Sequence, residues 1–178
     1  MNRRNFIKSG IVIASGLGVG SIGFPALAED ETKITILHTN DMHSRIEPFP
    51  SDGSKYAGLG GMARRAALIK KIRNENKNVL LFDSGDIFQG TPYFNFYGGE
   101  LEFKLMSEMG YDAATLGNHD FDVGLDGLIK QLPHTKFPFI TSNYDFSGTE
   151  LFGYTLNYKV FKRENIKIGV YGLGIELK

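Results

Sequence analysis

The 178-residue sequence carries 20 lysines and arginines against 20 aspartates and glutamates, a formal net charge of zero, with four histidines and no cysteine. The lack of cysteine excludes disulfide bonds and a lipid-modified cysteine anchor. Setting residues 1–28 aside leaves 17 positive against 20 negative groups, a balance that argues against stable nucleic-acid binding. The 150 residues after Ala28 suffice for one domain, or part of a larger one, burying roughly 70% of the surface its unfolded chain exposes.

The first residues read as an address rather than as fold. Arg3, Arg4 and Lys8 precede a weakly apolar segment from Ile11 to Leu27 interrupted by glycines and serines, and Ala26-Leu27-Ala28 offers a small-x-small cleavage site. This resembles a twin-arginine signal peptide cleaved after Ala28. The segment is too short and too rich in small residues for a stable span, which takes about 20 apolar residues. The expectation is export by the twin-arginine machinery to the periplasm or another extracytoplasmic space, with residues 29–178 as the mature chain.

From Ile34 to His38 a β-branched run predicts a first strand that stops at Thr39-Asn40-Asp41. The loop through Pro48, Pro50 and Ser51-Asp52-Gly53-Ser54 fits no regular element. After Gly60-Gly61, Met62, Ala66, Ile69 and Ile72 share one face of a helix. Arg64, Arg65, Lys70, Lys71 and Arg73 lie largely off that face, which reads as solvated surface rather than a phosphate-binding patch. Val79 to Phe82 is a continuous apolar run, the pattern of a strand buried on both sides. Glu100 to Met109 predicts a second helix stopped by Gly110, since Leu101, Leu105 and Met109 recur at helical spacing. Ala113 to Leu116 is a short third strand, and Leu125 to Leu132 a short helix closed by Pro133. Phe137 to Thr141 is a fourth strand whose Pro138 marks either its start or an edge. Tyr158–Phe161 and Ile166–Tyr171, joined through Lys162 to Asn165, predict a β-hairpin. The fold class is therefore α/β, a layered sheet with flanking helices in which ligands gather at the carboxyl ends of strands.

Three stretches carry the chemistry, and each directly follows a predicted strand: Asp41-Met42-His43, Gly85-Asp86-Ile87-Phe88-Gln89-Gly90, and Gly117-Asn118-His119-Asp120-Phe121-Asp122. Asp41 and His43, two apart on an extended exit, can reach one ion. Asp86 sits in a glycine-flanked turn, where its two oxygens allow it to bridge two ions, and Asn118 supplies a neutral carbonyl oxygen. Two divalent cations bring four positive charges against two negative from Asp41 and Asp86, so the site suits an anion such as a phosphate ester. In such sites the ions lie about 3.5–4 Å apart and a bound water titrates near about 7. Each stretch alone is also ordinary turn chemistry; their shared placement at strand ends points to a metal site. His38 and His134 have no matching partners and stay outside it. Asp83 reads equally as a group orienting a ligand or as a strand-end turn residue. Gln89 and Asp120 stand beside the site, each read as either a group that orients a ligand or a bystander, with Asp120 the less expected actor although it adjoins His119.

At these residues, and through Gly90-Thr91-Pro92-Tyr93-Phe94-Asn95-Phe96, the sequence resembles the calcineurin-like metallophosphoesterases, in particular the bacterial 5′-nucleotidase and 2′,3′-cyclic-nucleotide phosphodiesterase branch. The resemblance implies Asp41, His43 and Asp86 at one metal, Asp86 and Asn118 at the other, and His119 with Asp122 as a catalytic dyad in which the aspartate keeps the histidine charged. It implies two divalent ions (manganese, zinc, magnesium or iron), a nucleotide or other small phosphoester as substrate, and in-line attack by metal-bound hydroxide without a covalent phosphoenzyme. Relatives of this kind carry further histidines in later segments, two of them on the second metal. The sequence up to Lys178 has no match for them, so it reads as the amino-terminal part of such a domain. Two alternatives stand beside an exported hydrolase: a truncated or partner-dependent half-domain without catalysis, completed by another chain or a downstream segment, and a thiosulfate-ester hydrolase of the sulfur-oxidation type.

Overall fold

The computed structural model describes residues 31–176. The proposed signal peptide and its cleavage site after Ala28 lie outside them. Among the described residues no helix is long and apolar enough to cross a membrane.

Five parallel strands form one sheet in the order of the chain: β1 (Thr35–Thr39), β2 (Val79–Asp83), β3 (Ala113–Ala114), β4 (Phe139–Ile140) and β5 (Thr155–Leu156). Between them run α1 (Met62–Glu75), α2 (Pro92–Tyr97), α3 (Glu100–Met109) and α4 (Gly124–Gln131). A strand order that always advances in one direction, with crossovers of one hand, places every helix on the same face of the sheet. The other face then needs a different cover. An antiparallel hairpin, β6 (Lys159–Arg163) and β7 (Ile166–Val170), provides it.

The side chains divide accordingly. Leu81 of β2 belongs to the helix-side core with Met62, Ile69, Phe88, Phe103, Met106, Leu116, Leu128 and Phe139, whereas Leu80, Ala113 and Ile140 meet Phe161 of the hairpin. Phe82 and Phe161 pack edge to face with their rings 5.5 Å apart. β2 is thus covered on both sides, as its unbroken apolar run predicts. Arg163 ties the hairpin down through bonds to the Val79 carbonyl at 3.1 Å and to Asp112 at 2.9 Å.

The predicted helices form at or within a few residues of their expected limits. α3 ends at Gly110, whose φ of 72° is left-handed and whose N–H returns to the carbonyls of Met106 and Ser107. Arg73 at the end of α1 donates to the carbonyls of Met109 (2.5 Å) and Gly110 (2.6 Å), so one helix caps the other. The third and fourth strands are shorter than expected, two residues each. β4 lies between β3 and β5, not at an edge; Pro138 stands just before it, where a missing N–H costs nothing and its carbonyl accepts from Ala114 at 3.1 Å. Two elements have no counterpart in the sequence reading, α2 and β5.

Candidate metal centre

β1, β2 and β3 end side by side, with Thr39 paired to Asp83 and Asp83 to Ala114. The loops leaving these ends therefore start on neighbouring strands, those of β1 and β3 flanking that of β2, and each carries one of the three sequence stretches. The first two loops are zipped together by backbone bonds: Asp41 N–H to the Gly85 carbonyl (3.0 Å), His43 to Asp86 (3.0 Å) and Ser44 to Ile87 (2.9 Å). Asp41, His43, Ser44, Asp86 and Gln89 all hold positive φ, between 45° and 71°. A left-handed backbone costs such residues about 1–2 kcal/mol each. Strain of this kind gathered in two adjoining loops is a mark of a functional site.

The result is a compact donor set. Ligand atoms of Asp41, His43 and Asp86 all lie within 4.8 Å of one another, with His43 Nε2 3.9 Å from Asp41 Oδ1. Two carboxylates and an imidazole suit a divalent cation of the zinc or manganese type. Among the described residues, no lysine or arginine pairs with Asp41 or Asp86. Two more carboxyls, Asp83 and Asp120, are buried close by. The donor set fits a metal.

The third loop docks onto the second through glycine. Gly85 and Gly117 meet backbone to backbone, and a Cβ on Gly117 would run into the backbone nitrogen and Oδ1 of Asp86. That approach lets the His119 N–H donate to Asp86 Oδ1 at 3.0 Å. Asn118, half-buried, starts the 3-10 turn His119–Phe121, which brings it to the same loop as Asp86's partner. The His119 ring lies edge-on to that of His43, centroids 5.2 Å apart. His119 Nδ1 is 2.8 Å from Asp122 Oδ2, and this bond holds the imidazole above its ordinary pKa. Gln89 donates to the same Asp122 oxygen at 3.3 Å, so it braces the pair.

Asp83 and Asp120 do not join the donor set. Asp83 accepts from Thr39 Oγ1 and from the Gly85 N–H (2.9 Å), and Thr39 in turn meets Tyr111. Burial dominates these bonds and pushes its carboxyl up to about 7. Asp120 is fully buried and accepts four backbone N–H groups, those of Asp86 (3.1 Å), Ile87 (2.8 Å), Phe88 (3.1 Å) and Gly117 (2.9 Å). Burial still prevails and raises it to about 6. Sequence reasoning left Asp120 open between a group that orients a ligand and a bystander, and passed over the Gly85–Gly117 contact. The only local signal was an aspartate three residues after a glycine, the spacing of a side-chain-to-backbone turn bond. His38 is exposed on β1, and His134 lies 3.9 Å from Glu100. Neither is in the donor cluster.

A parallel sheet whose strand ends converge on carboxylates and imidazoles defines an α/β protein with a candidate metal site, carried by the loops rather than the helices. Residues 34–172 match the model of the calcineurin-like phosphoesterase family. The chain belongs to that family. It is 42% identical over 164 aligned residues to the snake venom 5′-nucleotidase of Gloydius brevicauda, covering 86% of this chain and 28% of the venom protein. To the 5′-nucleotidase of Homo sapiens it is 40% identical, covering 88% and 28%. Among solved structures it resembles a 5′-nucleotidase precursor from Thermus thermophilus (TM-score 0.73, 37% identity, 79% of this chain and 28% of the other). The NAD nucleotidase of Haemophilus influenzae is similar as well (TM-score 0.72, 34% identity, 79% and 26%). The Thermus sulfate thiohydrolase SoxB, at 16% identity and TM-score 0.64, shares the fold alone. The chain spans about 28% of the length of the relatives it matches.

Proposed function

We propose that the chain is the amino-terminal part of an exported, metal-dependent phosphoester hydrolase that acts on nucleotides. The observation that carries this reading is the Asp41, His43 and Asp86 cluster, with ligand atoms within 4.8 Å of one another at adjoining strand ends. Asp41, His43 and Asp86 would hold one ion, and Asp86 with Asn118 would hold a second. When bound, such ions polarise a phosphoryl oxygen and bring the pKa of a coordinated water to about 7.

The chain's own groups position and protonate. Asp122 engages His119 at Nδ1 and raises its pKa, which favours the charged imidazole and leaves Nε2 as the nitrogen that can donate to a phosphoryl or leaving-group oxygen. Gln89 holds Asp122 in place from the other side. The nucleotidase relatives support a nucleotide as substrate, and the twin-arginine-like residues support export.

The test is release of phosphate from 5′-AMP in manganese by the chain together with its downstream continuation. Activity is expected to vanish in chelator and in Asp86→Ala; an Asp86→Ala enzyme that still turns over refutes the reading. A second reading is favoured by a different observation: Tyr158, Tyr171, Leu173 and Ile175 are each at least 60% exposed around the hairpin and the segment after it. A surface this apolar suits a completing polypeptide that covers it and brings the remaining ligands of the second ion. That reading expects residues 29–178 alone to bind manganese without turning substrate over. Robust hydrolysis by that segment on its own removes it.

A further inference from the structure

Asp120 is fully buried, makes no ion pair among the described residues, and lies outside the donor cluster, yet it carries the densest set of hydrogen bonds at the centre. One oxygen, Oδ1, takes the consecutive N–H groups of Ile87 and Phe88, and the other, Oδ2, takes those of Asp86 and Gly117. Successive N–H groups converging on one acceptor form an anion nest. Here the anion is a side chain from the neighbouring loop. The exchange is reciprocal: the Asp86 carboxylate accepts the N–H of His119 at 3.0 Å, next to Asp120 itself. Each loop thus offers a carboxylate to the other's backbone, and the Gly85–Gly117 contact closes the gap between them.

We propose that Asp120 is a positioning residue for the metal centre: its carboxylate locks the Asp86 loop to the Gly117–His119 loop and so fixes Asp86 relative to Asp41, His43 and the His119–Asp122 pair. The consequence for metal rests on the proposed ligand role of Asp41, His43 and Asp86; the lock itself does not. The chemistry demands a carboxylate with both oxygens free to accept. An asparagine keeps one oxygen and puts an NH2 group where the other stood. Whichever way it turns, two of the four N–H donors then face a donor.

The experiment uses the full chain as wild type, Asp120→Asn and Phe161→Ala, the last as a destabilised control on the opposite face of the sheet. Amide exchange is followed by NMR in the metal-free proteins, and manganese binding by titration calorimetry. In Asp120→Asn the amides of Asp86, Ile87, Phe88 and Gly117 are expected to exchange roughly 10-fold faster or more, selectively over the α3 amides. Manganese affinity is expected to fall by about 10- to 100-fold, as for other groups that orient ligands. Phe161→Ala is expected to leave manganese affinity unchanged and to speed exchange at the centre no more than it does in α3. Native protection of those four amides in Asp120→Asn, or a loss of manganese affinity in the control equal to that in Asp120→Asn, overturns the proposal. A wild-type chain that binds no manganese sinks the ligand assignment instead, and the exchange rates alone then decide the lock.

Discussion

At the scale of single residues, the centre is held by groups whose burial opposes their charge. Asp83 has both oxygens hydrogen-bonded, but its removal from water outweighs those bonds and lifts the carboxyl from 3.8 to about 7. Between those two values the folded chain holds a proton that the unfolded chain has released, so stability falls as pH rises through that window. Asp83→Asn removes the titration while keeping an oxygen for the Gly85 N–H. Calorimetric melting in chelator should therefore show a wild-type Tm that declines between about pH 4 and pH 7, and a shallower decline in Asp83→Asn. The difference is bounded by about 4 kcal/mol, the full value of a shift of that size. Parallel curves for the two proteins would show that burial does not penalise this carboxylate. Gly117 is constrained by space instead. Because a Cβ there meets the nitrogen and Oδ1 of Asp86, Gly117→Ala should cost about 1–3 kcal/mol in urea unfolding and weaken manganese binding together with it.

At the scale of elements, the stability of the sheet depends on cover for both of its faces. The hairpin β6–β7 closes the face that the helices leave bare, with Phe161 set against Leu80, Ala113 and Ile140. Phe161→Ala should cost about 3–5 kcal/mol and should loosen the hairpin in hydrogen exchange before the helix side. Undiminished stability would mean that the hairpin rests on the sheet without holding it. α1, α3, β2 and the hairpin were legible because their patterns are long: an apolar stripe along a helix, an unbroken run, a charged turn between two apolar-rich runs. α2 and β5 were not. α2 is six residues long, and its signal, Pro92 at the first helical position after Thr91, is one that a turn also produces. β5 pairs through Thr155 and Leu156 only, too few residues for a period to be read.

At the scale of the whole molecule, the sequence pointed to the candidate centre through order along the chain: three stretches of candidate ligands, each just past a strand. It could not place Asp120, since the partners of that carboxylate lie up to 34 positions away and are backbone groups that any sequence has. Nor could it foresee that a sheet advancing strictly in chain order puts all the helices on one side. The central claim is that Asp41, His43 and Asp86 together hold a divalent ion. Titration calorimetry of manganese into the metal-free chain and its Asp86→Ala variant tests it most directly. The expected result is a saturable site in the wild type whose affinity drops by more than about 100-fold in the variant, beyond the loss typical of groups that merely orient ligands. Equal affinity in the two proteins would contradict it.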